Sequence, residues 1–273
     1  KILIAVFFFL LVAMHKKFDG AFARRVMGAI TGISAIYALL SVEAVSTGLC
    51  KPLLQSFGID AAKAVFDGSR LNGIFGNANI EASIYAIGIF CAVALVCGAE
   101  KKWQRALWAA AAAVDALAFL LVFSMGAMAC FAAAVVVYLI FAGKGRVAAL
   151  LRMLEAAVPA FLCGFAAFAL FGSGRVGLVL PVLLANAAVA AVLELTVMER
   201  LSRALEKHQR AAFGVLLGAV LCLAVYAVAA LYVTGPYTFG MDIYRSARLN
   251  AGEHTVTVEA DGEVTGWIYS WDP

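Results

Sequence analysis

Long apolar stretches separated by short basic segments are the feature that most constrains this chain. Of its 273 residues, 64% are hydrophobic and only 14% are charged, whereas a soluble domain has about 45–50% apolar and about 25% charged residues. A soluble fold of this size could not hide so much apolar surface from water. A bilayer removes that need, and α-helices cross it because they satisfy their own backbone hydrogen bonds. The sequence therefore predicts an all-α polytopic membrane helix bundle.

Eight stretches have the length and composition of membrane-spanning helices. A bilayer-crossing helix needs roughly 17–25 mostly apolar residues. That rule predicts helices at 1–14 (shortened at its start), 26–48, 80–98, 106–123, 127–143, 156–172, 176–198 and 211–234. Because Lys1 already lies inside the first stretch, we expect earlier membrane spans to precede it.

The basic residues indicate how these helices are oriented. Fourteen of the 21 Lys and Arg residues fall in alternate connections, at 15–25, 99–105, 144–155 and 199–210. Alternate connections share one side of a membrane, and the positive-inside rule assigns that side to the cytoplasm. The opposite, extracytoplasmic side then receives 49–79, 124–126, 172–175 and the segment after Thr234. The net charge of +4 follows from this pattern and does not indicate nucleic-acid binding.

The composition changes after Gly235-Pro236. Residues 242–249, 254–259 and 263–271 alternate in polarity as strands do, and Asp261-Gly262 is a typical hairpin turn. We expect a transmembrane bundle over 1–234 and a short extracytoplasmic β-rich segment over 235–273. Three strands alone are only marginally stable, so we expect this β-segment to continue beyond Pro273.

Two compositional features are interpreted as structural. The six cysteines show no C-x-x-C spacing, and five lie in apolar stretches, where Cys acts as a small hydrophobic residue. We therefore expect no disulfide framework and no metal site. The glycine pairs Gly28/Gly32 and Gly214/Gly218 predict close helix packing.

The connection 49–79 carries the most information about function. Its last ten residues, Arg70 to Asn79, contain a cation, two glycines and carboxamide side chains directly before a membrane span. An Asn there can cap the next helix and leave backbone N–H groups facing outward. This arrangement suits a phosphorylated lipid headgroup. The other interpretation is a plain helix cap beside an arginine that reaches to the membrane surface.

The pattern Arg70-x-x-Gly73-x-Phe75-x-Asn77-x-Asn79 resembles a characteristic stretch of the O-antigen ligase and polymerase family of bacterial membrane proteins. In that family a Ser-Arg-Gly-Ala turn follows about two spans later. At the matching place this chain has Ser124-Met125-Gly126-Ala127. The resemblance covers roughly residues 65–145.

The resemblance implies transfer of a glycan from a polyprenyl-diphosphate-linked saccharide to a glycan or lipid acceptor. The reaction would occur on the outer face of the bacterial cytoplasmic (inner) membrane, without a cofactor. By position, Arg70 would bind the diphosphate, and Gly73, Asn77 and Asn79 would belong to the same substrate-binding loop. Arg175, on the same predicted side, is a second candidate clamp.

The sequence departs from the family pattern in two ways. Met125 stands where the family has an arginine, and the family's long His-bearing outer loop is absent from this stretch. Three explanations are open: the base differs from that of the family, the base lies in chain beyond this sequence, or the chain is a divergent and inactive relative.

Three acidic residues inside predicted spans are further candidates. Glu43 lies far enough into an apolar stretch to need a partner, and it is our first candidate for the general base. Glu81 could act as a base or could simply favour the start of a helix through the helix dipole. Asp115 lies in mid-span, where a charge costs about 3 kcal/mol. Three interpretations of Asp115 are open: it has a functional role, it is protonated, or it pairs with Asn186.

Two other functions remain open. In one, the spans are a non-catalytic anchor for a surface β-domain that binds glycan or protein. In the other, the chain is a transporter or flippase, which requires a polar path through the bilayer, and Asp115 and Asn186 are its obvious candidates.

Overall fold

The computed structural model describes residues 20–66, 70–206, 210–218, 222, 254–260 and 263–269. The chain divides into two compact units, Lys1–Gly218 and Ala219–Pro273. The larger helices of the first unit are α1 (Gly20–Ser46), α3 (Ala78–Gly98), α4 (Lys102–Val122), α5 (Met125–Phe141), α6 (Arg146–Gly172) and α7 (Val179–Leu193). Short helices α2 (Lys51–Ser56) and α8 (Glu199–Glu206) complete this set, and residues 210–218 are also helical.

Within the described residues, five helical segments are long and apolar enough to cross a membrane, as expected for a multi-pass membrane protein. They are α1, α3, α4, α6 and the segment Val176–Leu205, in which a π-helical turn, Glu194–Met198, joins α7 to α8. This confirms an apolar helix at 26–48, 80–98, 106–123, 156–172 and 176–198. The prediction at 127–143 corresponds to α5, an apolar helix of 17 residues that is shorter than those five segments but as long as predicted. The predicted span 1–14 and the part of 211–234 after 218 lie largely outside the described residues.

Helix α4 lies at the centre of the bundle. It packs against α1, α3, α6 and α7, and every residue from Ala112 to Phe119 is buried, so that the helix is enclosed on all sides. Four of these eight residues are alanines. Such small side chains allow neighbouring helices to approach closely in a membrane, where no hydrophobic force drives helices together.

Two polar caps define the helix starts that matter for function. The Asn77 side chain accepts hydrogen bonds from the backbone N–H groups of Asn79 (3.0 Å) and Ile80 (3.3 Å), which begins α3. The Ser124 hydroxyl accepts one from Ala127 N (3.3 Å), which begins α5. Between α4 and α5, Phe123 adopts a left-handed backbone with φ of 48°, a conformation that costs a non-glycine residue roughly 1–2 kcal/mol. Its surroundings therefore hold this sharp turn.

Close helix approach occurs at a glycine other than the predicted ones. A Cβ at Gly88 would overlap the side chains of Ser34 and Asp115, so α1, α3 and α4 meet there. By contrast, a Cβ at Gly32, Gly214 or Gly218 would meet no atom of the described residues within 4 Å. Of the predicted glycines, Gly28 does lie against a neighbouring helix, since its Cβ would be 3.5 Å from the Trp108 ring of α4. Close packing at Gly214 and Gly218 stays a prediction, because both adjoin residues outside the described part of the chain.

The connections group at the two ends of the bundle in the predicted alternating order. At one end, Ser46 Oγ donates to Val176 O (2.8 Å), and the Phe66 ring stacks on Phe171 with centroids 3.6 Å apart. At the other end, Lys102 Nζ lies 3.1 Å from a Glu199 carboxylate oxygen. Which end faces the cytoplasm stays a prediction. The predicted connection 144–155 is mostly helical, since α6 begins at Arg146.

The connection 49–79 is more structured than its sequence indicates. It contains α2 and an antiparallel pair of two-residue strands, β1 (Val65–Phe66) and β2 (Leu71–Asn72). In the second unit, β3 (His254–Ala260) pairs antiparallel with β4 (Glu263–Tyr269). The predicted strand 242–249, the turn Asp261-Gly262 and the proposed boundary at Thr234 lie outside the described residues.

We predict that Gly88→Ala destabilises the bundle by about 1–3 kcal/mol because the added methyl group overpacks the core. Gly98→Ala, in the same helix, is the matched control, since its Cβ would meet nothing within 4 Å and alanine favours helix formation. Thermal unfolding in detergent measures both variants. Equal stability of the two would contradict the tight approach at Gly88.

Candidate functional site

A buried carboxylate holds the loop that precedes α3. Glu81 has no exposed surface, and its Oε2 accepts a hydrogen bond from Gly73 N at 2.8 Å. Its Oε1 accepts from Phe75 N at 3.1 Å and from Tyr37 Oη at 3.3 Å. Phe75 N also donates to Tyr37 Oη (2.9 Å), and the two rings stack with centroids 4.8 Å apart. Glu81 thus ties the loop to α1 and α3, a role beyond the helix-dipole interpretation.

Gly73 is required by this arrangement. It is buried, and a Cβ there would overlap the Glu81 carboxylate and Ser41 Oγ. The Ser41 hydroxyl lies 3.4 Å from Ile74 N, from which it accepts a hydrogen bond. Gly73, predicted as a substrate-binding residue, therefore shapes the loop from beneath while Phe75 and Asn77 are exposed above it.

The two segments that carry the family resemblance contact each other. Ser124 Oγ donates a hydrogen bond of 2.7 Å to Asn79 Oδ1, across 45 residues of sequence. Asn79 is exposed and Ser124 is buried beside it. The structure thus joins the Asn77-x-Asn79 segment and the Ser124 turn in one surface at the end of the bundle.

Arg70 and Arg175 are both exposed at this same end. Arg70 directly precedes β2, whose partner strand β1 supplies the Phe66 ring that stacks on Phe171. Arg175 follows that same phenylalanine at the end of α6, and its backbone N donates to Leu170 O (2.9 Å). The predicted pair of cations therefore lies on two connections that touch.

Glu43, predicted as the general base, accepts hydrogen bonds from the turn that follows α1. Its Oε1 accepts from Leu49 N (2.7 Å) and from Thr47 Oγ1, and its Oε2 accepts from Cys50 N (2.8 Å). These contacts close the turn after α1, so the structure gives no support to Glu43 as a general base. Burial, with the Glu43 carboxylate beside it, raises the pKa of the Cys50 thiol to about 12. Cys50 is therefore protonated and a poor nucleophile.

A second polar cluster lies in the middle of the bundle. Asp115 is fully buried, and its Oδ2 accepts a hydrogen bond of 2.6 Å from Ser34 Oγ. Its Oδ1 has no hydrogen-bond partner among the described residues. Asn186 does not supply one: its Nδ2 donates to the backbone oxygen of Ala113 (2.7 Å). The alternative in which Asn186 pairs with the Asp115 carboxylate is therefore not the observed arrangement.

One face of α3 extends from the first polar cluster to the second. Glu81, Tyr85 and Gly88 are spaced for one helix face; Tyr85 is fully buried, and its ring centroid lies 6.0 Å from that of Tyr37. Gly88 is where the Asp115 carboxylate approaches α3. Glu81, Tyr85 and Asp115 are thus spaced from the loop to the centre of α4, and no hydrogen bond among the described residues joins the Tyr85 hydroxyl to either acid.

At the opposite end, a buried ion-pair network was missed by the sequence analysis. Arg105 Nε lies 2.9 Å from Glu194 and its Nη2 lies 3.2 Å from Glu199. Arg152 contacts Glu155 at 3.1 Å and also contacts Glu194. Glu155 and Glu194 are almost completely buried. An acid such as Glu194 inside an apolar stretch was the available signal, because such a residue needs a partner.

No protein-family model, curated protein or solved structure matches this chain. The resemblance to the O-antigen ligase family therefore stays a prediction from the residues, and function is argued from the geometry. Among the described residues, no group of three or more His, Cys, Asp or Glu side chains could hold a metal ion.

A double-mutant cycle on Asn79→Ala and Ser124→Ala tests whether their contact is formed in solution. We predict a coupling free energy of about 0.5–1.5 kcal/mol, typical of one hydrogen bond. The measurement is unfolding of each single variant and of the double variant in detergent. Strictly additive effects would contradict the contact between the two segments.

A second prediction concerns the ion-pair network. Arg152→Ala leaves Glu155 and Glu194 buried without this cation and should destabilise the protein by about 3–5 kcal/mol. Arg203→Ala is the control, since it removes a cation whose side chain is 70% exposed and should cause no measurable loss. Unfolding in detergent measures both. Wild-type stability of the Arg152 variant would show that the network is not formed.

Proposed function

We propose that this chain is an O-antigen-ligase-like glycan transferase of a bacterial inner membrane. Its donor would be a polyprenyl-diphosphate-linked saccharide, bound at the end of the bundle that carries Arg70, which we assign to the extracytoplasmic side. The observation that supports this proposal is the hydrogen bond between Asn79 and Ser124. It joins the two family-like segments into one surface, next to the connections that carry Arg70 and Arg175.

The chemistry proposed for this surface is stabilisation of a leaving group. An acceptor hydroxyl attacks the anomeric carbon of the donor, and the bond from that carbon to the diphosphate oxygen breaks. The polyprenyl diphosphate leaves with the electron pair, and the hydroxyl proton passes to a base. Guanidinium groups suit a diphosphate because their planar fork donates paired, charge-assisted hydrogen bonds. We assign this task to Arg70 and Arg175 and assign no base, since Glu43 is bound to Leu49 and Cys50.

An apolar strip could receive the lipid tail of the donor. Phe75 in the loop is 56% exposed, and Ile80 and Ile87 on α3 are 50% and 54% exposed. These side chains continue from the loop along the outer surface of α3 toward the hydrocarbon region. A diphosphate at Arg70 would thus have an adjacent path for its polyprenyl chain.

We predict that Arg70→Ala lowers glycan transfer by about 100-fold or more, because removal of one preorganised charged donor commonly has that effect. The full chain is reconstituted in liposomes with a polyprenyl-diphosphate-linked saccharide, and transfer is followed by product chromatography. Lys51→Ala, a cation at the same end outside the pattern, is the matched control and should retain activity.

Two outcomes would overturn the assignment. Near-normal transfer in the Arg70 variant would remove Arg70 from the site, and binding of the donor without any turnover would favour the non-catalytic anchor. Cysteine labelling adds an independent check: Arg70→Cys should react from outside the cell. Labelling of Arg70→Cys from the same side as Lys101→Cys would exclude an extracytoplasmic site.

Transport coupled to protons is a second candidate, and the buried polar row from Glu81 through Tyr85 to Asp115 is the observation that favours it. An unpartnered carboxylate oxygen at the centre of a membrane bundle is a suitable place for a proton. In this alternative, Asp115 takes up and releases a proton as the bundle opens to either side.

Asp115→Asn separates the two candidates. The amide keeps the volume and can keep the bond to Ser34, so the transferase should retain most of its activity. If the chain is a proton-coupled transporter, the same variant should lose all proton flux, measured with a pH-sensitive dye inside liposomes. Ser34→Ala, which removes only the partner, is the control. Absence of proton flux in the wild-type protein would exclude transport.

A further inference from the structure

We infer that the end of the bundle opposite Arg70 binds the headgroup of an anionic phospholipid. A cavity of about 560 Å³ lies there, between the start of α1 and the connection from α3 to α4. This volume falls within the range of about 300–1,000 Å³ that is typical of ligand sites. The cavity is separate from the proposed donor site, so the inference does not depend on the proposed function.

The charge of the cavity favours an anion. Arg24, Arg25 and Lys101 line it, against a single carboxylate, that of Glu100. Neighbouring cations at the same end, such as Lys102 and Arg105, are held in ion pairs. No such ion pair engages Arg24, Arg25 or Lys101 in the part of the chain that the structure describes. Among the described residues, no acidic side chain is ion-paired with these three cations.

The remaining walls indicate that the anion belongs to a lipid. Trp108 and Leu95 supply apolar surface beside the cations, and Gly28 lies against the indole ring, since a Cβ there would be 3.5 Å from it. Tryptophan is enriched where membrane and water meet, because its ring is apolar and its N–H is polar. A soluble phosphate would need only the cations. A phospholipid would use both surfaces, with its phosphodiester on the arginines and its first acyl carbons on the apolar wall.

Basic pockets between membrane helices are known to hold anionic headgroups, and each Lys or Arg near the membrane surface contributes about 1 kcal/mol to that attraction. One kcal/mol corresponds to about a fivefold change in affinity. Loss of two of the three cations should therefore weaken binding by about 25-fold.

The test titrates the detergent-solubilised full chain with phosphatidylglycerol, phosphatidylcholine or inorganic phosphate and follows the unfolding temperature. We expect phosphatidylglycerol alone to raise it, and the double variant Arg24→Gln with Lys101→Gln to require about 25-fold more of that lipid. The control double variant, Arg200→Gln with Arg210→Gln, removes equal charge from exposed positions outside the cavity and should bind as the wild type does. Lys101→Arg, which keeps the charge, should also bind normally.

Three results would overturn the inference. An equal loss in the control variant would mean that only the general surface charge matters. Equal stabilisation by phosphatidylcholine would remove the anionic headgroup from the explanation. Stabilisation by inorganic phosphate and not by phosphatidylglycerol, lost in the cavity variant, would make the ligand a free phosphate. Circular dichroism of each variant before titration ensures that only folded protein is compared.

Discussion

The carboxylate of Glu81 is the contact on which the candidate site depends. A buried carboxylate is stable only if hydrogen-bond donors surround it, and here the donors are the backbone N–H groups of Gly73 and Phe75 together with the Tyr37 hydroxyl. Because these donors belong to the loop and to α1, the bonds hold the loop across the end of the bundle. That position sets Asn77 at the start of α3 and turns Asn79 toward Ser124.

The kind of polar contact inside this apolar bundle differs between its two ends and its middle. At the Arg70 end, backbone N–H groups donate hydrogen bonds to two acids, Glu43 and Glu81. In the middle, a single carboxyl group is held by Ser34 where three helices meet. At the other end, arginines and glutamates neutralise one another within the bundle, while Arg24 and Lys101 stay on its surface. At the Arg70 end, the polar groups hold a loop in place. At the other end, the ion pairs hold the helices together, and Arg24 and Lys101 remain on the surface.

Local signals in the sequence predicted the local features of the structure. Apolar composition predicted α1, α3, α4 and α6, because hydropathy measures the preference for lipid directly. The residues just before α3 predicted an Asn cap, and the structure identifies it as Asn77. Partners distant in sequence were missed. Nothing near Glu81 points to Tyr37, and nothing near Glu194 points to Arg105 and Arg152. The charge on Arg152 also made the first turns of α6 look like a connection, because hydropathy falls at a charge even where the helix continues.

The wide turn between α7 and α8 has a consequence for which side chains can share a partner. Residues five apart on an α-helix point about 140° away from each other, since each residue advances about 100°. A π-helical turn bonds residue i to residue i+5, so side chains five apart lie closer to the same side of the helix than they do in an α-helix. Glu194 and Glu199 bracket such a turn, which is how one guanidinium, that of Arg105, reaches both carboxylates. The five-residue turn therefore changes which side of the helix faces the bundle. The face of α8 that points toward the bundle is not the continuation of the buried face of α7.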